Sequence, residues 1–183
     1  LTLGRPTVTD IIPAGASDEQ MLLRLAATLE QGSEHPLAKA VLSHAASAGI
    51  TPAAVTRFTA LSGKGVSGEI DGVPYFLGSP ALTAERGLNV DQPAVAHLQQ
   101  QGKTVIALAN EKAVLGYLAI ADALRDSSAG AVKRLKEMGV EVIMLTGDNA
   151  ATAATIAAQA GIGRFLAEVL PQLVDGNPGT YDG

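Results

Sequence analysis

GVSGEIDGVPYFLG (residues 65–78) consists of two apolar runs joined at an Asp-Gly pair. Asp71-Gly72 suits a two-residue hairpin loop, whose turn needs positive φ at both positions. The flanking runs, 65–70 and 73–78, therefore read as neighbouring antiparallel strands. Three more runs extend the pattern: VTRFTAL (55–61) upstream, then KTVIALA (103–109) and AVLGYLAI (113–120) around Asn110-Glu111-Lys112. Helical spacing fills the gap between them, near 80–86 and 91–101. Upstream, residues 1–9 read as extended and 13–16 as a loop. Ser17 reads as the N-cap of a helix, with Gln20 three residues on as in a capping box. Met21, Leu22, Leu25, Ala26 and Leu29 form its apolar stripe, and it stops near Gln31-Gly32. A second helix, 36–48, ends at Gly49.

The pattern changes at Asp122. Residues 127–138 are amphipathic, with Val132, Leu135 and Met138 on one side. VEVIML (140–145) is a near-continuous apolar run, which predicts a parallel strand buried on both faces. A helix over 150–160 stops at Gly161, and 165–169 reads as another strand. Such βα alternation belongs to a doubly wound sheet. The predicted fold is thus an α+β domain, an antiparallel sheet flanked by helices, joined to part of an α/β, Rossmann-type domain. The tail, DGNPGTYDG (175–183), is turn-rich and has little to bury.

Composition narrows the chemistry. The 183 residues are 47% hydrophobic but only 3% aromatic, so the core is built of Ala, Val, Leu and Ile. Net charge is −5 with no basic cluster, which argues against nucleic acid as a partner. No cysteine is present, so neither a disulfide nor a thiolate metal site forms within the chain. No run of about 18 apolar residues occurs. The chain starts at Leu1 and reads as a piece of something longer.

Four stretches carry candidate chemistry. In SEHPLAKAV (33–41), Pro36 suits the first turn of a helix and pushes His35 into an extended conformation just outside it. An imidazole at a helix mouth can stack on a ring or donate a hydrogen bond; alone, the pair also fits a surface or capping histidine. In SGKGVSG (62–68), Gly63 and Gly65 let backbone approach a ligand and Lys64 adds charge, although no P-loop follows and a plain hairpin loop fits as well. FLGSP (76–80) places Gly78 at a strand end. TGDN (146–149) follows the apolar strand and precedes a helix, where open α/β sheets bind ligands. Thr146 and nearby N–H groups could hold phosphate there, and Asp148 could hold Mg²⁺, unless Asp148 or Asn149 only caps the helix and Gly147 only turns the chain. Glu30, taken alone, is a solvated carboxylate. His44 and His97 read as surface or packing residues.

Together, TLEQGSEHPLAKAV (28–41), LSGKGVSGEIDGVPYFLGSP (61–80) and ADALRDSSAGAVKRLKEMGVEVIMLTGDNAATAATIAAQAGI (121–162) resemble a heavy-metal-transporting P-type ATPase of the copper exporter type. The resemblance covers about residues 1–171. It implies the start of a phosphorylation-domain segment at 1–7 and a nucleotide-binding domain at 8–118. It further implies a partial, haloacid dehalogenase-like phosphorylation domain at 119–171, with 172–183 a loose tail. It implies ATP and Mg²⁺ as ligands. His35 would contact the adenine end with Glu30 on the same wall. Gly63, Gly65 and Gly78 would line the nucleotide cleft, and Thr146, Gly147 and Asp148 would face the γ-phosphate. Ser79 stands where some copper pumps have Asn. Asp122 and Arg125 resemble the hinge.

The family's Asp-Lys-Thr-Gly-Thr phosphorylation motif does not occur in the sequence, nor does its later Gly-Asp-Gly-x-x-Asn-Asp. The resemblance therefore implies an ATP-binding piece, inactive alone, of an enzyme that hydrolyses ATP through an aspartyl-phosphate. Its partners would be the missing membrane and actuator domains. The transported metal would bind elsewhere. The location would be the cytoplasmic side of a bacterial inner-membrane protein. A zinc, cadmium or silver pump, a soluble haloacid dehalogenase-type phosphatase and a non-catalytic interaction module are the competing readings.

Overall fold

In a computed structural model the chain is described over residues 1–61 and 65–169. It divides into two compact units, Thr2–Ala123 and Leu1 with the residues from Leu124 onward.

The first unit is built on a six-stranded antiparallel sheet. Its strands are β1 (Thr7–Pro13), β2 (Thr56–Leu61), β3 (Gly65–Ile70), β4 (Val73–Gly78), β5 (Thr104–Asn110) and β6 (Val114–Ala121), ordered β1-β6-β5-β4-β3-β2. The Asp-Gly turn is as predicted: Asp71 and Gly72 have φ of 51° and 77° and pair Ile70 with Val73. Alternation along the strands gives the sheet two apolar faces. One carries Val66, Ile70, Leu77, Ile106, Leu108, Leu118 and Ile120 beneath α1 (Glu19–Glu30) and α2 (Pro36–Ser47). The other carries Val105, Ala107, Tyr117 and Ala119 against Val95 and Leu98 of α4 (Gln92–Gln100); α3 (Pro80–Glu85) lies between β4 and α4 in the chain. The phenol of Tyr117 accepts the Asp91 N–H at 2.8 Å, which ties the entry to α4 to the sheet. Asp18, not Ser17, caps α1: its carboxylate accepts the Met21 N–H at 2.7 Å. Both residue types cap well; α1 begins at Glu19, which makes Asp18 the extended residue just outside it.

In the second unit, α5 (Asp126–Glu137) and α6 (Ala150–Ala160) enclose a small core with Met144, Val132, Ala153, Ala157 and Ile162. Its sheet is a parallel pair, β7 (Ile143–Leu145) and β8 (Arg164–Leu166). The apolar run predicted a strand over 140–145 buried on both faces. The strand is shorter, and only Met144 is buried; Ile143 and Leu145 are 40% and 49% exposed. Core residues meet one face of the pair, and no second layer covers the other among the described residues. Gly161 ends α6 in the left-handed conformation at φ 73°, where lack of a Cβ removes the strain.

Candidate nucleotide site

The first cluster lies where α1 passes into α2. Glu30 is the last residue of α1, and the chain turns through Gln31–Glu34 to His35, the N-cap of α2. His35 has φ −64° and ψ 143°, the extended conformation Pro36 imposes, and its Nδ1 accepts the Leu37 N–H at 3.2 Å. That bond assigns the proton to Nε2, on the exposed ring. Ser33 braces the turn: its N–H donates to the Glu30 carbonyl at 3.0 Å, and its Oγ accepts the His35 N–H at 3.3 Å.

Glu30 differs from its sequence expectation. It is not solvated but 7% exposed, with Oε2 buried and without a hydrogen-bond partner among the described residues. Burial pushes its carboxyl above the ordinary 4.5, against a smaller opposing pull from Ser33. The residue ends a helix, so its exposure was not legible from spacing alone. Leu29 beside it is wholly buried, and α1 packs on β1, β3 and β4 as well as α2.

The second cluster is the glycine pair. Gly65 sits directly opposite Gly78 where β3 and β4 run side by side. Gly65 has φ 138°, and a Cβ there would press on the Leu77 carbonyl oxygen and stand 2.6 Å from Gly78 Cα. Only glycine fits. Gly63 and Lys64 lie outside the described residues. Ser79 caps α3, its Oγ accepting the Leu82 N–H at 3.2 Å.

The third cluster belongs to the second unit. The Thr146 hydroxyl donates to Asp148 Oδ2 at 2.7 Å and accepts the Asp148 N–H at 3.2 Å. Asp148 O accepts from Glu168 N at 2.9 Å, and Thr146 O from Val169 N at 3.0 Å, so the following segment wraps the loop. Asn149, rather than Asp148, caps α6: its Oδ1 accepts the Thr152 N–H at 3.1 Å. A Cβ at Gly147 would meet only ordinary contact, 3.7 Å from Val169 O. No group of three or more His, Asp or Glu side chains gathers among the described residues. Asp148, its Oδ2 held by Thr146, would give a Mg²⁺ one carboxylate ligand, in the manner of magnesium sites that substrate phosphates complete.

Asp122 accepts from the N–H groups of Gly4 and Arg5, each at 3.1 Å, and so pins the chain's entry into the first unit. Arg125 is the N-cap of α5. Elsewhere on the sheet, Arg57, Ser67, Glu69, Phe76, Arg86 and Asn110 line a groove of ≈ 520 Å³ that contains none of the sequence-predicted residues.

A profile of haloacid dehalogenase-like hydrolases matches residues 1–179. The chain belongs to the haloacid dehalogenase-like hydrolases. Within that family its likeness is to heavy-metal P-type ATPases, as the motifs implied. A Mycobacterium tuberculosis protein named "Probable copper-exporting P-type ATPase V" is 43% identical over 175 residues, 94% of this chain and 23% of that protein. A solved zinc-transporting PIB-type ATPase in its E2.Pi state is 35% identical with a TM-score of 0.67, covering 94% of this chain and 28% of that one. The catalytic domain of the CPx-ATPase CopB-B, studied for its changes on nucleotide binding, is 25% identical with a TM-score of 0.70, covering 94% and 58%. This haloacid dehalogenase-like chain thus spans about a quarter of the length of the curated relative. No helix among its described residues is long and apolar enough to cross a membrane.

Proposed function

We propose that this chain is the ATP-binding part of an ATP-driven heavy-metal pump, with Cu⁺ the exported ion. Adenine sits against Glu30 and His35, and the nucleotide passes over the backbone at Gly65 and Gly78. Thr146, Gly147 and Asp148, in the second unit, carry the motif that the resemblance assigns to phosphate. The observation that carries the reading is the Glu30 carboxylate, buried with Oε2 unpartnered, one short turn before an exposed imidazole. A buried carboxylate oxygen without a donor is costly, and the exocyclic amine of adenine supplies one. The exposed face of His35 then stacks on the purine, held in place by its cap to Leu37. Copper and zinc relatives share this region at 43% and 35% identity, so metal choice is assigned to the membrane segments of the parent pump. Those segments and an actuator domain are the partners. The parent hydrolyses ATP through an aspartyl-phosphate on the cytoplasmic side. This chain lacks the Asp-Lys-Thr-Gly-Thr nucleophile motif and binds nucleotide without turning it over.

The test is an AMP and ATP titration of the 183-residue chain beside His35→Ala, followed by calorimetry. Both nucleotides should bind, and the substitution should weaken both about equally. Wild-type affinity in a folded His35→Ala protein would sink the assignment.

A further inference from the structure

β2 is an edge strand whose pairing with β3 slips by one residue. Thr56 lies opposite Glu69 and Thr59 opposite Ser67, so both Arg57 and Phe58 stand against Gly68. Arg57 takes up the extra residue at φ 51°, a left-handed conformation that is uncommon outside glycine. Its guanidinium turns to Glu69 Oε2 at 3.1 Å, on the face away from α1 and α2. Phe58, next in the chain, goes the other way and packs against the helix-side core. Its ring lies on Gly32: a Cβ there would stand 2.9, 3.0 and 3.1 Å from Phe58 Cε1, Cζ and Cδ1. Gly32 is in the turn between Glu30 and His35. A bulge that re-aims a side chain thus delivers one of the chain's three phenylalanines to the backbone of that turn.

We propose that Phe58 is a positioning residue for the Glu30–His35 wall: its ring, aimed by the Arg57 bulge, is the floor on which the turn at Gly32 rests and so fixes where the His35 imidazole stands. The proposal rests on the nucleotide reading only for its affinity arm. A Cβ at position 32 would stand within 3.1 Å of three ring atoms, so glycine is what lets the ring come this close. The Arg57–Glu69 pair supports the strained backbone from the other face.

The test uses the whole 183-residue chain with Gly32→Ala, Phe58→Leu and the double variant. His35 imidazole proton resonances are recorded without ligand, and AMP affinity by titration. The new Cβ in Gly32→Ala should shift the His35 resonances and weaken AMP binding about tenfold. Phe58→Leu alone removes the floor and should itself shift the His35 resonances and weaken AMP binding. In the Gly32→Ala background its shorter side chain makes room for the new Cβ, so the two effects should be less than additive, a coupling that general loss of stability does not produce. Gly32 is exposed, so Gly32→Ala remains informative even where Phe58→Leu folds poorly. Unmoved His35 resonances in Gly32→Ala overturn the proposal, whatever happens to affinity. Moved resonances in a chain that binds no AMP sustain the positioning role and remove the nucleotide reading. AMP binding with unmoved resonances does the reverse.

Discussion

Glu30→Gln sets stability against binding at a single side chain. The wild-type carboxylate is 7% exposed with Oε2 unpartnered. Leaving a buried polar group unsatisfied costs about 1–3 kcal/mol, and more when it is charged. The amide keeps the shape and removes the charge, so about 1 kcal/mol should return at neutral pH, raising the melting midpoint by about 4 °C. The pH dependence carries the sign. Burial raises the folded pKa above the ordinary 4.5, so the folded state binds the proton more tightly than the unfolded one. Wild-type stability is therefore full below pH 4.5 and declines as pH rises through the raised folded value. The Gln variant has no such decline. The gap between the two proteins should be small in acid and open fully above the folded pKa. Binding moves the opposite way, because a charge-assisted hydrogen bond is roughly twice as strong as a neutral one: AMP affinity should fall about tenfold. Melting by circular dichroism across pH 4–8, paired with AMP calorimetry, reads both. A midpoint difference that does not change with pH, or a less stable Gln variant at the alkaline end, refutes the reasoning.

Gly65→Ala presses a Cβ onto the Leu77 carbonyl at φ 138° and should cost about 3 kcal/mol in denaturant melts. Lys103 Nζ bonds Asp10 Oδ2 at 2.7 Å and, with Thr9, holds the Asp10 carboxyl below its usual range. That pair stabilises above the ordinary carboxylate pKa and is lost as pH falls through the lowered folded value; a double-mutant cycle with Asp10→Asn and Lys103→Met should give about 1 kcal/mol at pH 7 and nothing in strong acid. Asn149→Ala removes the cap of α6 and should destabilise the second unit by about 1 kcal/mol, read from amide exchange in α6, while leaving AMP affinity unchanged.

Local rules carried the sequence reading far. Asp71-Gly72 fixed a hairpin through turn chemistry, Pro36 fixed His35 as the residue outside α2, and Gly161 fixed the end of α6, because each acts within a few residues. What escaped depends on partners distant in sequence. Glu30 is buried because helix and sheet close over it, and no spacing in TLEQG announces that. The Phe58–Gly32 contact needs a register slip between β2 and β3, which an alternating pattern hides. The run at 140–145 suggests burial on both faces because its composition is apolar throughout; exposure of Ile143 and Leu145 follows from the layers around the strand, not from the strand.

The order β1-β6-β5-β4-β3-β2 also bears on how the first unit assembles. Every pairing from β2 to β6 joins strands that follow one another along the chain, while β1 pairs with β6, matching Thr7 with Ala121 across the whole unit. Docking of β1 is then the one step that waits on long-range loop closure, and it should come late in refolding. A circular permutant that joins Ala121 to Thr7 through a short turn and opens the chain between β1 and α1 makes the order of strands in the sheet the order along the chain. It should refold faster than the natural order and reach the same sheet.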